Sequence, residues 1–232
     1  MVRTGFAIRP HRSCVFCGLL TDGARICGRC LAVLPRNDRH CPRCGQPLIA
    51  PPAGGVPCAD CQQRPPAFDI ARTPFRYEFP VDRALKAIKF ARRLEFAPAL
   101  AELLLPVIAA DFGSCDALVP VPLHRRRHIL RGFNQADEIC RLLARRTSLP
   151  IIMSARRKRA TAPQTGLSGK LRRQNLRGAF GFPGKAGFRY PLIVDDVITT
   201  GTTVNQLAGT LRAAGVEHVG VIAVAYAVRT WQ

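Results

Sequence analysis

Acidic residues are scarce in this chain of 232 residues. It has 15 Asp and Glu against 35 Lys and Arg, a formal net charge of +20 at pH 7. No carboxylate lies between Glu138 and Asp195, while thirteen Lys and Arg do. A field of this sign attracts nucleic acid, phosphate-rich ligands or an anionic membrane, though charge alone can also be plain solubilising surface. Long apolar runs are absent too. None approaches the roughly 18 residues of a membrane helix. The composition is nonetheless 47% hydrophobic, enough for a core. The opening MVRTGFAIRPHRSC lacks the apolar run of a signal peptide, so the expectation is a cytoplasmic protein.

Cysteine is abundant and unevenly placed. Eight of the ten form four CxxC pairs, Cys14/Cys17, Cys27/Cys30, Cys41/Cys44 and Cys58/Cys61, all in the first quarter of the chain. Two residues between thiols let one tight turn aim both sulfurs at one ion, and two such turns complete a tetrahedral zinc site. Glycine follows two of the knuckles, in CVFCG and CPRCG. Disulfides would need an oxidising compartment. Redox CxxC motifs come singly, at the start of a helix after a strand. Two structural zinc ions are therefore expected. Sequential pairing gives two consecutive zinc ribbons, and the spacing also permits interleaved pairing. Each four-thiolate site carries about −2, which would lower the formal charge from +20 to about +16. A closed four-thiolate site offers no open position to a substrate, so this module is structural or a docking surface. Cys115 and Cys140 read as inert, Cys140 as a buried helix residue.

The stretch from Arg64 to Thr73, RPPAFDIART, reads as a linker, dividing a double zinc ribbon (1–66) from a second domain (67–232). VDRALKAIKFARRLEF places Ala84, Leu85, Ile88 and Ala91 on one face of a helix, with Lys86, Lys89, Arg92 and Arg93 on or near the other. A more apolar helix is expected over Pro98 to Ala110. DALVPVP (Asp116 to Pro122) reads as a buried strand, followed after LHRRRHILRGFNQA by an amphipathic helix to about Arg146. LPIIM and Phe188 to Val194 read as further strands, Val204 to Ala214 as a helix stopped by Gly215, and VEHVGVIAVAYAV as a last strand. Strands alternating with helices predict an α/β domain with a mostly parallel sheet flanked by helices. In such sheets ligands sit beyond the C-terminal strand ends.

Two segments emerge there. One is LIVDDVITTGTTV, in which Asp195 and Asp196 precede Thr199, Thr200, Gly201, Thr202 and Thr203. Backbone N–H groups between a strand end and a helix start can converge on a phosphate, helped by the helix dipole. The loop has no lysine, so it is not a Walker P-loop, and no GxGxxG marks a dinucleotide fold. A carboxylate beside a phosphate repels it unless a metal intervenes or the acid binds something else. A sugar diol suits the acids and a phosphate suits the loop, so a sugar 5-phosphate answers both.

VDDVITTGTT resembles the phosphoribosyl pyrophosphate (PRPP) motif of type I phosphoribosyltransferases. That resemblance implies the fold of those enzymes, ribose hydroxyls on Asp195 and Asp196, and the 5′-phosphate on Thr199 to Thr203. By position it also implies a pyrophosphate loop after an earlier strand, at Pro122, Leu123, His124, Arg125, Arg126 and Arg127, often with magnesium, and with Arg131 as a further cation. Together with VPVPLHRRRHILRGFNQA, TAPQTGLSGKLRRQNLRGAF, the IKFARRLEF helix and the four CxxC pairs, the chain is similar to the ComF family of competence-associated proteins. This implies a role in DNA uptake and utilisation, with other DNA-uptake proteins as partners.

Two readings follow. As an enzyme, the protein would displace pyrophosphate at the anomeric carbon of PRPP and transfer the ribosyl group to a base, with Arg125 and Arg126 joining Asp195 and Asp196 as catalytic residues and the segment from Arg156 to Arg177 closing as a lid. As a binding protein, it would sense PRPP or hold single-stranded DNA, with Arg156, Arg157, Lys158, Arg159, Lys170, Arg172 and Arg173 on the phosphates. Aromatic residues near that segment are few, so phosphate contact is favoured there over base stacking.

Overall fold

A computed structural model describes residues 12–50, 53–123, 132–157, 180–184 and 186–228. The central element is a parallel sheet in the order β3 (Ile70–Arg72), β9 (Gly220–Tyr226), β8 (Pro191–Ile198), β5 (Ala117–Pro120), with β4 (Phe75–Arg76) continuing alongside β9. β9 is buried throughout and β8 is buried from Pro191 to Val194, as expected of parallel strands covered on both faces.

Helices α3 (Val81–Ala91), α4 (Phe96–Asp111) and α5 (Gln135–Thr147) share one core with Leu118, Leu192, Val194 and Ile222 of the sheet. Helix α6 (Thr202–Ala213) packs its Val204, Leu207, Ala208 and Leu211 on the other core, with Ile193 and Val221. On α3, Val81, Ala84, Leu85 and Ile88 are buried; the last two stabilise the fold by about 1.5–3 kcal/mol each. The helix stops at Ala91 because Arg92 turns left-handed (φ 53), so Ala91 is exposed and not on the core face.

Three further expectations are corrected. The stretch from Arg64 to Thr73 contains the edge strand β3: its three residues are too few to show an alternation beside two prolines. LPIIM makes only an isolated bridge, Ile151 to Leu118. The strand expected to end at Val194 runs to Ile198, because Asp195 pairs with Ala223 and Ile198 with Tyr226. β5 ends four residues earlier, opposite Val194.

The N-terminal module consists of small loops: the hairpin β1 (Arg12–Ser13) and β2 (Leu20–Thr21), and the one-turn helices α1 (Gly28–Ala32) and α2 (Ala59–Gln63). β6 (Arg156–Arg157) and β7 (Phe180–Gly181) form a separate antiparallel pair.

Candidate functional site

The eight cysteines gather sequentially, as Cys14, Cys17, Cys27, Cys30 and as Cys41, Cys44, Cys58, Cys61, each set with its sulfurs within 4.8 Å of one another. A tetrahedron with metal–sulfur bonds of about 2.3 Å has sulfur–sulfur edges of about 3.8 Å. Cys17 to Cys27 and Cys44 to Cys58 are both 3.8 Å apart. The residues therefore fit two zinc ions. Backbone N–H groups prepare thiolates: Cys27 donates to Cys14 Sγ at 3.3 Å and Cys58 to Cys41 Sγ at 3.2 Å. Burial alone would raise these thiols, but such donors outweigh it and bring Cys14 down to about 6 and Cys41 to about 7. Gly45, in the second ribbon, is at φ 71, and a Cβ there would stand 3.0 Å from the Ala71 carbonyl, so the knuckle can lie against β3 only with glycine.

Cys115 and Cys140 are buried outside these sets, as expected. Burial pushes the Cys140 thiol up to about 12.

At the other end of the sheet, β8 carries Asp195 and Asp196 as half-buried residues at its C-terminal end. Each carboxylate is pinned by the next backbone N–H, Asp196 N to Asp195 Oδ1 at 2.9 Å and Val197 N to Asp196 Oδ1 at 2.8 Å. Asp196 is near enough to Tyr77 to add to the rise in its phenol, which burial chiefly causes. Thr199 and Thr200 form the exposed bend, and Gly201 is the N-cap of α6 at φ 67. Thr202 and Thr203 are the first residues of that helix, which therefore begins inside the loop and not at Val204. Helix α5 is capped by Asn134, whose Oδ1 accepts from Ala136 N at 3.2 Å. Helix α6 has no side-chain cap, so its first N–H groups are available to an anion. Thr200 and Thr202 hydroxyls lie 2.8 Å apart.

The loop forms one wall of a cleft of about 570 Å³. Thr200, Gly201, Thr202, Asn205 and Gln206 face the second zinc ribbon, represented by Cys44, Gln46, Asp60, Cys61, Gln63 and Arg64, with Phe68 and Tyr226 at the base. Asp195 and Asp196 are on the strand leading to the loop and do not line this cleft. Sequence reasoning missed the ribbon wall and Asn205. The latter accepts from Ala67 N at 2.6 Å, tying the loop helix to the segment that leaves the ribbon. Its one local signal is its place, one turn after Gly201 on the same helix face.

Of the other predicted site residues, Leu123 is half-buried just after β5. Arg156 is exposed, and Arg156 and Arg157 pair with Gly181 and Phe180. His124, Arg125, Arg126, Arg127, Arg131, Lys158, Arg159, Lys170, Arg172 and Arg173 lie outside the described residues.

Fold and site together define a class: an α/β protein with two N-terminal zinc ribbons, the second at the edge of a parallel sheet, and a threonine–glycine loop at the strand ends. A family model described as a double zinc ribbon domain matches residues 7–62. The chain is 38% identical over 202 residues to the DNA utilization protein YhgH of Escherichia coli strain K12, covering 84% of this chain and 88% of that one. It is 33% identical over 205 residues to competence protein F of Haemophilus influenzae, with the same two coverages. The chain belongs to the ComF family. Among solved structures it is similar to the glutamine PRPP amidotransferase from B. subtilis, at 21% identity, a TM-score of 0.41, and coverage of 61% of this chain and 30% of that one.

Proposed function

We propose that this protein binds PRPP with magnesium and acts in DNA uptake or utilisation. The observation that carries the ligand is the run from β8 into α6: two carboxylates, a threonine–glycine bend, and a helix N-terminus capped by Gly201 alone. In this reading Asp195 and Asp196 accept from the ribose hydroxyls. The 5′-phosphate sits on the N–H and hydroxyl groups of Thr199, Thr200, Gly201, Thr202 and Thr203. The segment that leaves β5 at Leu123 and continues through His124, Arg125, Arg126, Arg127 and Arg131 neutralises the pyrophosphate. Magnesium, when bound, supplies further positive charge there, and Asp195 and Asp196 are the described carboxylates nearest the loop in sequence.

The DNA role is supported by the names of the relatives, a DNA utilization protein and a competence protein, and by the net charge of +20. Phosphate contacts are assigned to Arg156, Arg157, Lys158, Arg159, Lys170, Arg172 and Arg173. Among the described residues no helix is long and apolar enough to cross a membrane.

PRPP with magnesium at a hundredfold excess over Kd is expected to raise the melting temperature by roughly 5–10 °C. Asp195→Asn with Asp196→Asn is expected to abolish the rise. An undiminished shift in the double variant would remove the ribose assignment. Following pyrophosphate with a panel of bases then separates the two modes: release with one base marks a transferase, and binding without release marks a sensor.

A further inference from the structure

Helix α3 presents two different faces. Val81, Ala84, Leu85 and Ile88 are in the core. On the outer side, Arg83, Lys86 and Phe90 recur at intervals of three and four residues, the spacing of one helix face, and Phe79 stands exposed in the turn two residues before the helix. Phe79 is 76% exposed and Phe90 72%, the only aromatic rings among the described residues left so open. Arg83 and Lys86 are exposed between them. Lys89 adds its ammonium 5.0 Å from the Phe90 ring centre, and Arg92 and Arg93 continue the basic run at the exposed end of the helix.

A lone exposed Phe needs no explanation. Two open rings, one before α3 and one in its last turn, with cations between them, form a pattern with a matching ligand. Single-stranded nucleic acid binds where a positive track follows its phosphates and aromatic faces receive its bases. One ring stands in the turn before the helix and the other in its last turn; between them in sequence are Arg83 and Lys86, the latter 2.7 Å from the Asp82 carboxylate. A duplex hides its base faces and would not use the rings. A membrane would need a contiguous apolar face, and the apolar face of α3 is already inside the core.

We propose that the outer side of α3, with the turn that precedes it, is a contact surface for single-stranded nucleic acid, with bases stacked on Phe79 and Phe90 and phosphates on Arg83 and Lys86. The proposal rests on the DNA-handling part of the function above. It locates the contact on residues distant in sequence from the basic segment at Arg156 to Arg173, and it supplies the stacking platforms that the composition of that segment lacks.

The test is fluorescence anisotropy of a labelled oligothymidylate with the full, zinc-loaded chain. Replacing both rings (Phe79→Ala with Phe90→Ala) is expected to weaken binding by about tenfold per ring, with the slope of log K against log salt unchanged. Keeping the rings with Phe79→Tyr and Phe90→Tyr should preserve the affinity. Arg83→Gln with Lys86→Gln should lower the slope by about 1.4, since each single-strand phosphate contact contributes about 0.7. Circular dichroism checks that each variant is folded. Wild-type binding that survives loss of both rings would overturn this face while leaving the DNA role intact. No binding by the wild type at low salt would overturn both. Loss of binding to anionic phospholipid vesicles, with oligothymidylate binding retained, would make the face a membrane contact and overturn the proposal.

Discussion

The two zinc ribbons have the same ligand set, two CxxC pairs each, yet they are joined to the molecule in different ways. The first rests on helix α4. Its attachments are an ion pair from Arg25 to Glu102 at 3.0 Å, a tilted Phe16–Phe96 contact, and the partly buried Val15, Phe16 and Leu31 against the core. Three of its four cysteines are at least partly exposed. The second ribbon is fused to the sheet edge. Ala71 N donates to Arg43 O at 2.7 Å, and Arg72 Nη1 to Pro42 O at 2.8 Å. The buried Asn37 amide donates to Gly45 O and Thr73 O at 2.8 and 2.9 Å. Three of its four cysteines are buried, and it walls the cleft that the phosphate loop faces. The difference separates a peripheral staple from a ribbon that walls the cleft beside the threonine–glycine loop.

The largest expected effect comes from breaking the second site. Structural zinc contributes about 10–16 kcal/mol of binding free energy in isolated fingers. Cys58→Ser is therefore expected to remove one of two zinc equivalents and to lower stability by several kcal/mol, read by metal analysis and thermal melting. Cys17→Ser, at the exposed corner of the first site, should cost less. Equal losses would erase the distinction between the ribbons.

A smaller effect is expected at the seam. Asn37→Ala leaves buried carbonyls without their donor and should cost about 1–3 kcal/mol in chemical denaturation. Arg25→Ala, at the first ribbon's exposed ion pair, should cost under about 1 kcal/mol and vanish in high salt. A reversal of that order would show that the first ribbon is the more tightly held.

The sequence made this contrast only half legible. The cysteine spacing was enough to expect two four-thiolate sites, because ligand geometry is local. The coordinates supplied the sequential pairing, since both pairings satisfy the same spacings. TTGTT is legible as a glycine-bearing loop between strand and helix for the same local reason, Gly201 being at positive φ, although the helix begins at Thr202 and not at Val204. The strand leading into it was cut short because Asp195 and Asp196 interrupt the apolar run, while their backbone continues the ladder beside β9. β3 was taken for linker because a three-residue edge strand has no period to read. The cleft is a tertiary product: Gln46 and Gln63 become neighbours of Thr200 and Gln206 only when the ribbon closes on the sheet edge. The open rings of Phe79 and Phe90 were equally invisible, because sequence pattern reports a helix's buried stripe and not what is left bare outside it.

The central claim, that the second ribbon and the phosphate loop form one site, is tested most directly by titrating PRPP with magnesium into two variants that have each lost one zinc site. Cys14→Ser with Cys17→Ser should leave the affinity within about twofold of wild type. Cys58→Ser with Cys61→Ser should weaken it by about tenfold or more, equivalent to at least 1.4 kcal/mol. Wild-type affinity in a folded second-site variant would contradict the account.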